Sequence, residues 1–180
     1  MKNSFVLASL LLVMNLFAAD IDTAKSKLKW KGTKVTGEHL GEVPFKSGSL
    51  KMNEAGALTG GEFEVSVEKL TVTDLAGSMK EKLEGHLKNA DFFNVGDHPT
   101  SKLVITKAEK GKLTGDLTIK GITKSITFPY TVAGNTFKGK LKFDRTKYGI
   151  KYGSGSFFEN LGDKAISNDV ELDFEIVVKK

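Results

Sequence analysis

The stretch KLTGDLTIKGITKSITFPYTV, residues 112–132, decides the fold. Leu113, Leu117 and Ile119 share one phase with Gly115, and Ile126, Phe128, Tyr130 and Val132 follow at every second position. Threonines, a serine, lysines and Asp116 fill most of the positions between them. A period of two belongs to a strand with one face in a core and the other in water.

The same period runs outward from this stretch. KLKWKG (27–32) puts Leu28, Trp30 and Gly32 on one face and lysines on the other, and VPFKSGSLKM (43–52) continues with Val43, Phe45 and Leu50. EFEVSVEKL (62–70) contributes Phe63, Val65 and Val67, and KLVITK (102–107) contributes Leu103 and Ile105. Past the opening stretch, TFKGKLKFDR (136–145) supplies Phe137, Leu141 and Phe143, and DVELDFEIVVK (169–179) supplies Val170, Leu172, Phe174 and Ile176. With turn signals NEAG, EKGK and AGNT between them, these predict about eight half-buried strands. One segment differs. SMKEKLEGHLKNA (78–90) spaces Met79, Leu83, Leu87 and Ala90 at helical intervals, which predicts a short amphipathic helix over one end of the sheet.

Apolar faces on eight strands must be buried against each other, in a closed barrel or a two-sheet sandwich. Closure removes the sheet edges, so the expected fold is an all-β, eight-stranded antiparallel barrel with one short helix near an end. Glycines in the inward phase, Gly32, Gly115 and Gly139, point to space for a ligand inside it.

The first residues, MKNSFVLASLLLVMNLFAAD, place Lys2, an uncharged apolar run from Phe5 to Phe17, and Ala18 and Ala19 before the first acid, Asp20. This is the order of a secretory signal peptide, and the run is shorter than the roughly 20 residues that span a bilayer. The expected division is a signal peptide at 1–19 and one domain at 20–180, in the periplasm or secreted. No cysteine is present, which rules out a disulfide framework and a lipid on an N-terminal cysteine. After such a cut, 26 basic residues face 22 acidic ones, a net charge of +4. The lysines alternate with apolar residues, as on a solvated sheet face, and this speaks against nucleic acid as a partner. Transient attraction to an anionic membrane surface is compatible with the charge, and a homodimer is allowed.

HLKNADFFNVGDHP (86–99) concentrates two of the three histidines. His86 and His98 are twelve residues apart, too far for two ligands on one helical face, and cysteine is missing, so a metal site is weakly supported. No serine lies in a nucleophile-elbow pattern. A hydrolase or metalloenzyme using His86, Asp91 and His98 at the barrel mouth is the alternative to a binding protein. As packing, the stretch ends the helix, sends Phe92 and Phe93 in different directions, and turns at Asp97 and Pro99 into the next strand.

HLKNADFFNVGDHPT, then LTIKGITKSITFP (117–129), then FDRTKYGIKYG (143–153) resemble the YceI-like family of polyisoprenoid-binding exported proteins, over residues 25 to 180. The family positions fall on His86, Leu87, Asp91, Phe92, Phe93 and Pro99, and on Arg145, Tyr148 and Gly149. The resemblance implies a lipocalin-like barrel holding a polyisoprenoid or isoprenoid-quinone lipid, with ties to stress and acid responses. On that reading the chain is a lipid-binding protein, not an enzyme, and needs no cofactor or metal beyond the isoprenoid ligand. The candidate wall residues are Trp30, Phe45, Phe63, Phe92, Phe128, Phe137, Leu141 and Phe143.

Overall fold

The computed structural model describes residues 17–179, so most of the expected signal peptide lies outside the described residues. In chain order the elements are β1 (Phe17–Asp20), β2 (Lys27–Lys34), β3 (Gly37–Glu42), β4 (Phe45–Met52), β5 (Leu58–Ser66), β6 (Thr71–Val72), α1 (Gly77–Lys88), β7 (Thr100–Glu109), β8 (Lys112–Ile119), β9 (Ile122–Ala133), β10 (Thr136–Asp144) and β11 (Ile166–Val177). All strands join one antiparallel sheet in the order β1-β4-β5-β7-β8-β9-β10-β11-β2-β3-β6.

Two expectations change. The described residues form eleven strands rather than eight, the additions being β1, β3 and β6. None of these carries alternating apolar residues: β6 has two residues, and the buried position of β3 is Gly41, while its Leu40 is exposed. Nor does the sheet close as an eight-stranded ring, because β1 and β6 remain its two edges. It curls on itself and is tied at one end. There Ile21 bridges Val178, the Asp22 N–H donates to the Val177 carbonyl at 2.7 Å, and the Lys179 N–H donates to the Asp20 carbonyl at 2.9 Å.

The curl turns a corner in β9. Residues Ile122 to Pro129 of β9 pair with β8, and Tyr130 to Ala133 pair with β10. Pro129 has no N–H to donate, so it suits the position at which the strand changes partner. Opposite Tyr130 stands Gly139, where a Cβ would collide with the Pro129 carbonyl oxygen and lie 2.5 Å from the Phe174 ring. Gly115 is similar: a Cβ would lie 2.6 Å from the Val104 carbonyl oxygen. These two glycines therefore let backbones approach and leave no ligand space. Only Gly32 matches the expectation, since a Cβ there would meet nothing nearer than the Trp30 ring at 3.9 Å.

Helix α1 forms near its predicted bounds and buries Leu87, with Leu83 half-buried and Met79 left in solvent. It has no side-chain N-cap. Glu84 instead accepts the Val72 N–H at 2.8 Å, which fastens the helix to β6. At the opposite end Ile21, Leu50, Phe137, Ile176 and Val178 pack into a separate cluster that plugs the curl. The outer face carries cross-strand pairs such as Lys31–Glu171 at 3.0 Å, Lys138–Glu175 at 3.0 Å and Lys140–Asp173 at 3.1 Å. Exposed pairs of this kind add little stability each and keep the face wet.

Gly139→Leu is expected to prevent stable folding, because the overpacking at the corner cannot relax against backbone, whereas Lys140→Leu should shift stability by less than about 0.5 kcal/mol. Urea unfolding of the two variants, read by circular dichroism, checks this.

Candidate functional site

Between the plugged end and α1, the inward side chains do not fill the curl. They enclose a cavity of about 230 Å³ that runs from Phe137 and Ile176 at the plug to Leu83, His86 and Leu87 of the helix. The eight predicted wall residues, Trp30, Phe45, Phe63, Phe92, Phe128, Phe137, Leu141 and Phe143, all line it. All strands but β1 and β6 contribute, mainly through their inward phase, so the period of two is largely the period of the wall. Phe93 lines it as well as Phe92.

Several polar groups in the wall are committed elsewhere. The Trp30 indole N–H donates to the Thr71 carbonyl at 3.2 Å, and the indole covers Gly41, where a Cβ would strike both. His39 contacts Asp74 at 2.8 Å, and Asp74 also accepts the Leu40 N–H at 2.9 Å. Burial alone would raise the Asp74 carboxyl, but the Leu40 and His39 hydrogen bonds outweigh it and hold it below the usual range.

Lys34, Lys102 and Arg145 are the charged members of the wall, and of these Arg145 is buried, only 2% exposed. Its guanidinium donates to four carbonyls: Nε to Ser167 at 2.8 Å, Nη1 to Ile150 at 2.9 Å and Tyr152 at 2.8 Å, and Nη2 to Ile166 at 3.1 Å. Burial draws it below the ordinary arginine value, and the Asp144 carboxylate partly opposes this. The turn that holds Arg145 explains its sequence neighbours. Residues Arg145–Tyr148 form one 3-10 turn in which Asp144 accepts the Thr146 N–H and hydroxyl, and Gly149 ends it at φ +77°, a conformation that favours glycine. The Tyr148 ring packs edge-on against Phe143 at 5.6 Å. Burial raises its hydroxyl, whose oxygen has no partner among the described residues.

Arg145 also shapes an irregularity in the sheet. Lys34 pairs with Ile166 and Gly32 pairs with Val170, so Ser167, Asn168 and Asp169 stand opposite Thr33 alone. The β2–β11 ladder is broken there, and Gly32, Thr33, Lys34, Ile166, Ser167 and Val170 line the cavity along the break. Two of the carbonyls held by Arg145, Ile166 and Ser167, belong to this bulge.

At the helix end, His86 lies edge-on to Phe92 at 4.8 Å and to Tyr152 at 4.6 Å, with the Arg145 guanidinium 5.9 Å from the Phe92 ring centre. The His86 Nδ1 is 3.3 Å from the Asn89 amide, so His86 orients the loop after α1. Pro99 accepts the Glu68 N–H through its carbonyl, and His98 packs beside Gly121. Asp91 is exposed and outside the cavity wall. His86, Asp91 and His98 are not gathered into one site: among the described residues no three His, Cys, Asp or Glu side chains could hold a metal ion. Tyr152, which the sequence reading did not single out, joins His86 and Phe92; its only sequence trace is its place in FDRTKYGIKYG.

Comparison with known proteins decides the family. The YceI-like domain model matches residues 20–178. The chain belongs to the YceI-like family. A UPF0312 protein of Shewanella denitrificans is 28% identical over 123 residues, 60% of this chain and 62% of that protein, and so is spanned for less than two thirds of its length. A UPF0312 protein of Staphylococcus aureus is 33% identical over 114 residues, 51% of this chain and 67% of that protein. Among solved structures, Burkholderia cenocepacia BcnA superposes with a TM-score of 0.70 at 25% identity, covering 89% of this chain and all of BcnA. A polyisoprenoid binding domain from Saccharophagus degradans, implicated in plant cell wall breakdown, shares the fold with a TM-score of 0.60 at 14% identity, covering 92% of this chain and 99% of that domain. The curled all-β sheet with one short helix is thus the YceI-like, lipocalin-like fold.

Arg145→Met is expected to destabilise this YceI-like domain by at least about 3 kcal/mol, since four carbonyls lose their donor at once. Arg145→Lys should recover only part, because an ammonium lacks the planar fork. Chemical denaturation of both variants measures it.

Proposed function

We propose that this YceI-like protein is an exported binding protein that holds the chain of a polyisoprenoid or isoprenoid-quinone lipid in its interior. The observation that carries this reading is a cavity walled mostly by aromatic and aliphatic side chains, in which the buried polar groups of Trp30 and Arg145 already bond to the protein's own carbonyls. A wall of that kind offers a ligand burial rather than hydrogen bonds. An apolar chain gains about 0.8 kcal/mol for each methylene removed from water, so a long tail can be held with no reacting group. The Saccharophagus degradans domain of the same fold, named for polyisoprenoid binding, supports the same ligand class. Because the Ile21–Val178 end is plugged, the tail points towards it and the head group lies towards α1.

Organic extraction of the purified protein should yield an isoprenoid lipid in near-equimolar amount. Gly32→Leu, at the inward glycine with open space, should lower lipid per protein severalfold with the circular dichroism unchanged, and Lys140→Leu on the outer face should not. Equal lipid in both variants, or none in the unaltered protein, would remove the interior-ligand reading.

The leader bears on where loading takes place. A cut after Ala19 leaves Asp20 as the first residue, and the family match also begins at residue 20. Intact mass of the protein recovered from its native source should correspond to residues 20–180; a mass that includes Met1 to Phe17 would refute export by cleavage.

A further inference from the structure

The α1 end of the molecule carries apolar side chains that the cavity does not use. Tyr152, Phe157 and Phe158 are 45%, 48% and 50% exposed. They stand on one loop, because both Phe157 and Phe158 donate their N–H to the Ser154 carbonyl at 3.0 Å. That loop is fastened to the broken ladder: the Ser154 hydroxyl donates to Asn168 at 2.6 Å and Asn168 donates to Ser156 at 2.9 Å. Asn168 belongs to the bulge that faces Thr33. The exposed aromatics therefore sit beside the widest of the register shifts between strands that line the cavity.

The charge that precedes the aromatic pair is basic, and acids follow it. Between Asp144 and Glu159 the chain has no acid, and its exposed ionic groups are Lys147 and Lys151, the latter 4.7 Å above the Phe157 ring. Lys164 lies next to this loop, its carbonyl 3.3 Å from the Cβ position of Gly153, while Glu159 and Asp163 follow the aromatic pair. Aromatic tips flanked by lysines match the bilayer interface, where rings sit at headgroup depth and ammonium groups meet phosphates. Two or three aromatic side chains bury a few hundred Å², well below the roughly 1,000 Å² of a specific protein interface, whereas a bilayer accepts a wedge of any size.

We propose that the 151–158 loop docks the protein on a bilayer with anionic headgroups, Phe157 and Phe158 inserting and Lys147 and Lys151 contacting phosphate, so that the break between β2 and β11 faces the membrane. This rests on the isoprenoid reading above for its purpose, since it lets a tail pass between membrane and cavity with little exposure to water. Docking itself stands on the loop alone.

Vesicle co-sedimentation of the whole protein tests it, with phosphatidylcholine vesicles and mixed phosphatidylcholine–phosphatidylglycerol vesicles as probes. The double substitution Phe157→Ser with Phe158→Ser should reduce partitioning by about tenfold or more on both. Lys147→Ala with Lys151→Ala should remove most of the preference for the anionic vesicles, about fivefold per lysine. Val132→Ser, which removes another exposed apolar side chain at the plugged end, should partition as the unaltered protein does, and circular dichroism should show all variants folded. The proposal is overturned if the unaltered protein does not bind vesicles, if the aromatic variant binds as well as it does, or if Val132→Ser loses as much. It is also overturned if the unaltered protein sediments alone as a dimer that the aromatic variant converts to monomer, for then a second copy covers the loop. Lipid extracted from the same preparations separates the two readings: aromatic-dependent vesicle binding without extractable isoprenoid keeps the docking loop and removes the cargo.

Discussion

A guanidinium buried without a carboxylate in ion-pair distance, among the described residues, holds the α1 end of the sheet in shape. Arg145 reaches from the end of β10 to carbonyls in the loop after it and in β11, and so ties three parts of the chain to one side chain. A buried charge is costly unless its protons are matched, and here carbonyl dipoles match them. The planar fork also fixes direction, so the bulge in β11 and the loop bearing Tyr152 take their positions from it. The loop bearing Tyr152 and the ladder break are both held by this contact.

The two ends of the molecule solve different problems. At one, Ile21, Leu50, Phe137, Ile176 and Val178 fill the curl as an ordinary core, and the Ile21–Val178 bridge brings the sheet together. At the other, packing is replaced by a helix, a turn and hydrogen-bonded loops that surround space. Without disulfides, the stability needed to keep that space open has to come from the plug, the ladders and the Arg145 contacts.

Much of the fold was legible because lysine and apolar residues alternate so regularly that eight strands and seven of the eight wall residues could be read from the period of two, Phe92 coming from the loop after α1. The strands that escaped reading lack that contrast. In β3 the inward slot is Gly41, filled by the Trp30 indole from β2, a fact about a neighbour and not about the segment itself. Gly115 and Gly139 were misread for a related reason: an inward glycine marks either empty space or a close backbone, and only the partner strand decides which. The YceI-like motif located Arg145, Tyr148 and Gly149, yet the role of Arg145 was hidden, since carbonyl partners carry no residue-type signature. The break opposite Thr33 was likewise invisible, being a matter of register between segments more than 130 residues apart.

That separation has a kinetic meaning. Strand β11 lies between β10 and β2, and the Ser26 hydroxyl accepts the N–H of Val177, 151 residues away. Hairpins such as β4–β5 and β7–β8 can form early from local sequence, but β2 and β3 acquire their place in the sheet only when the last strand arrives. Late, long-range pairing slows the final step and keeps the chain pliable until then. A protein ordered in this way locks cooperatively only after its last strand is available, and losing β11 would strip a partner from β10 and β2 at the same time.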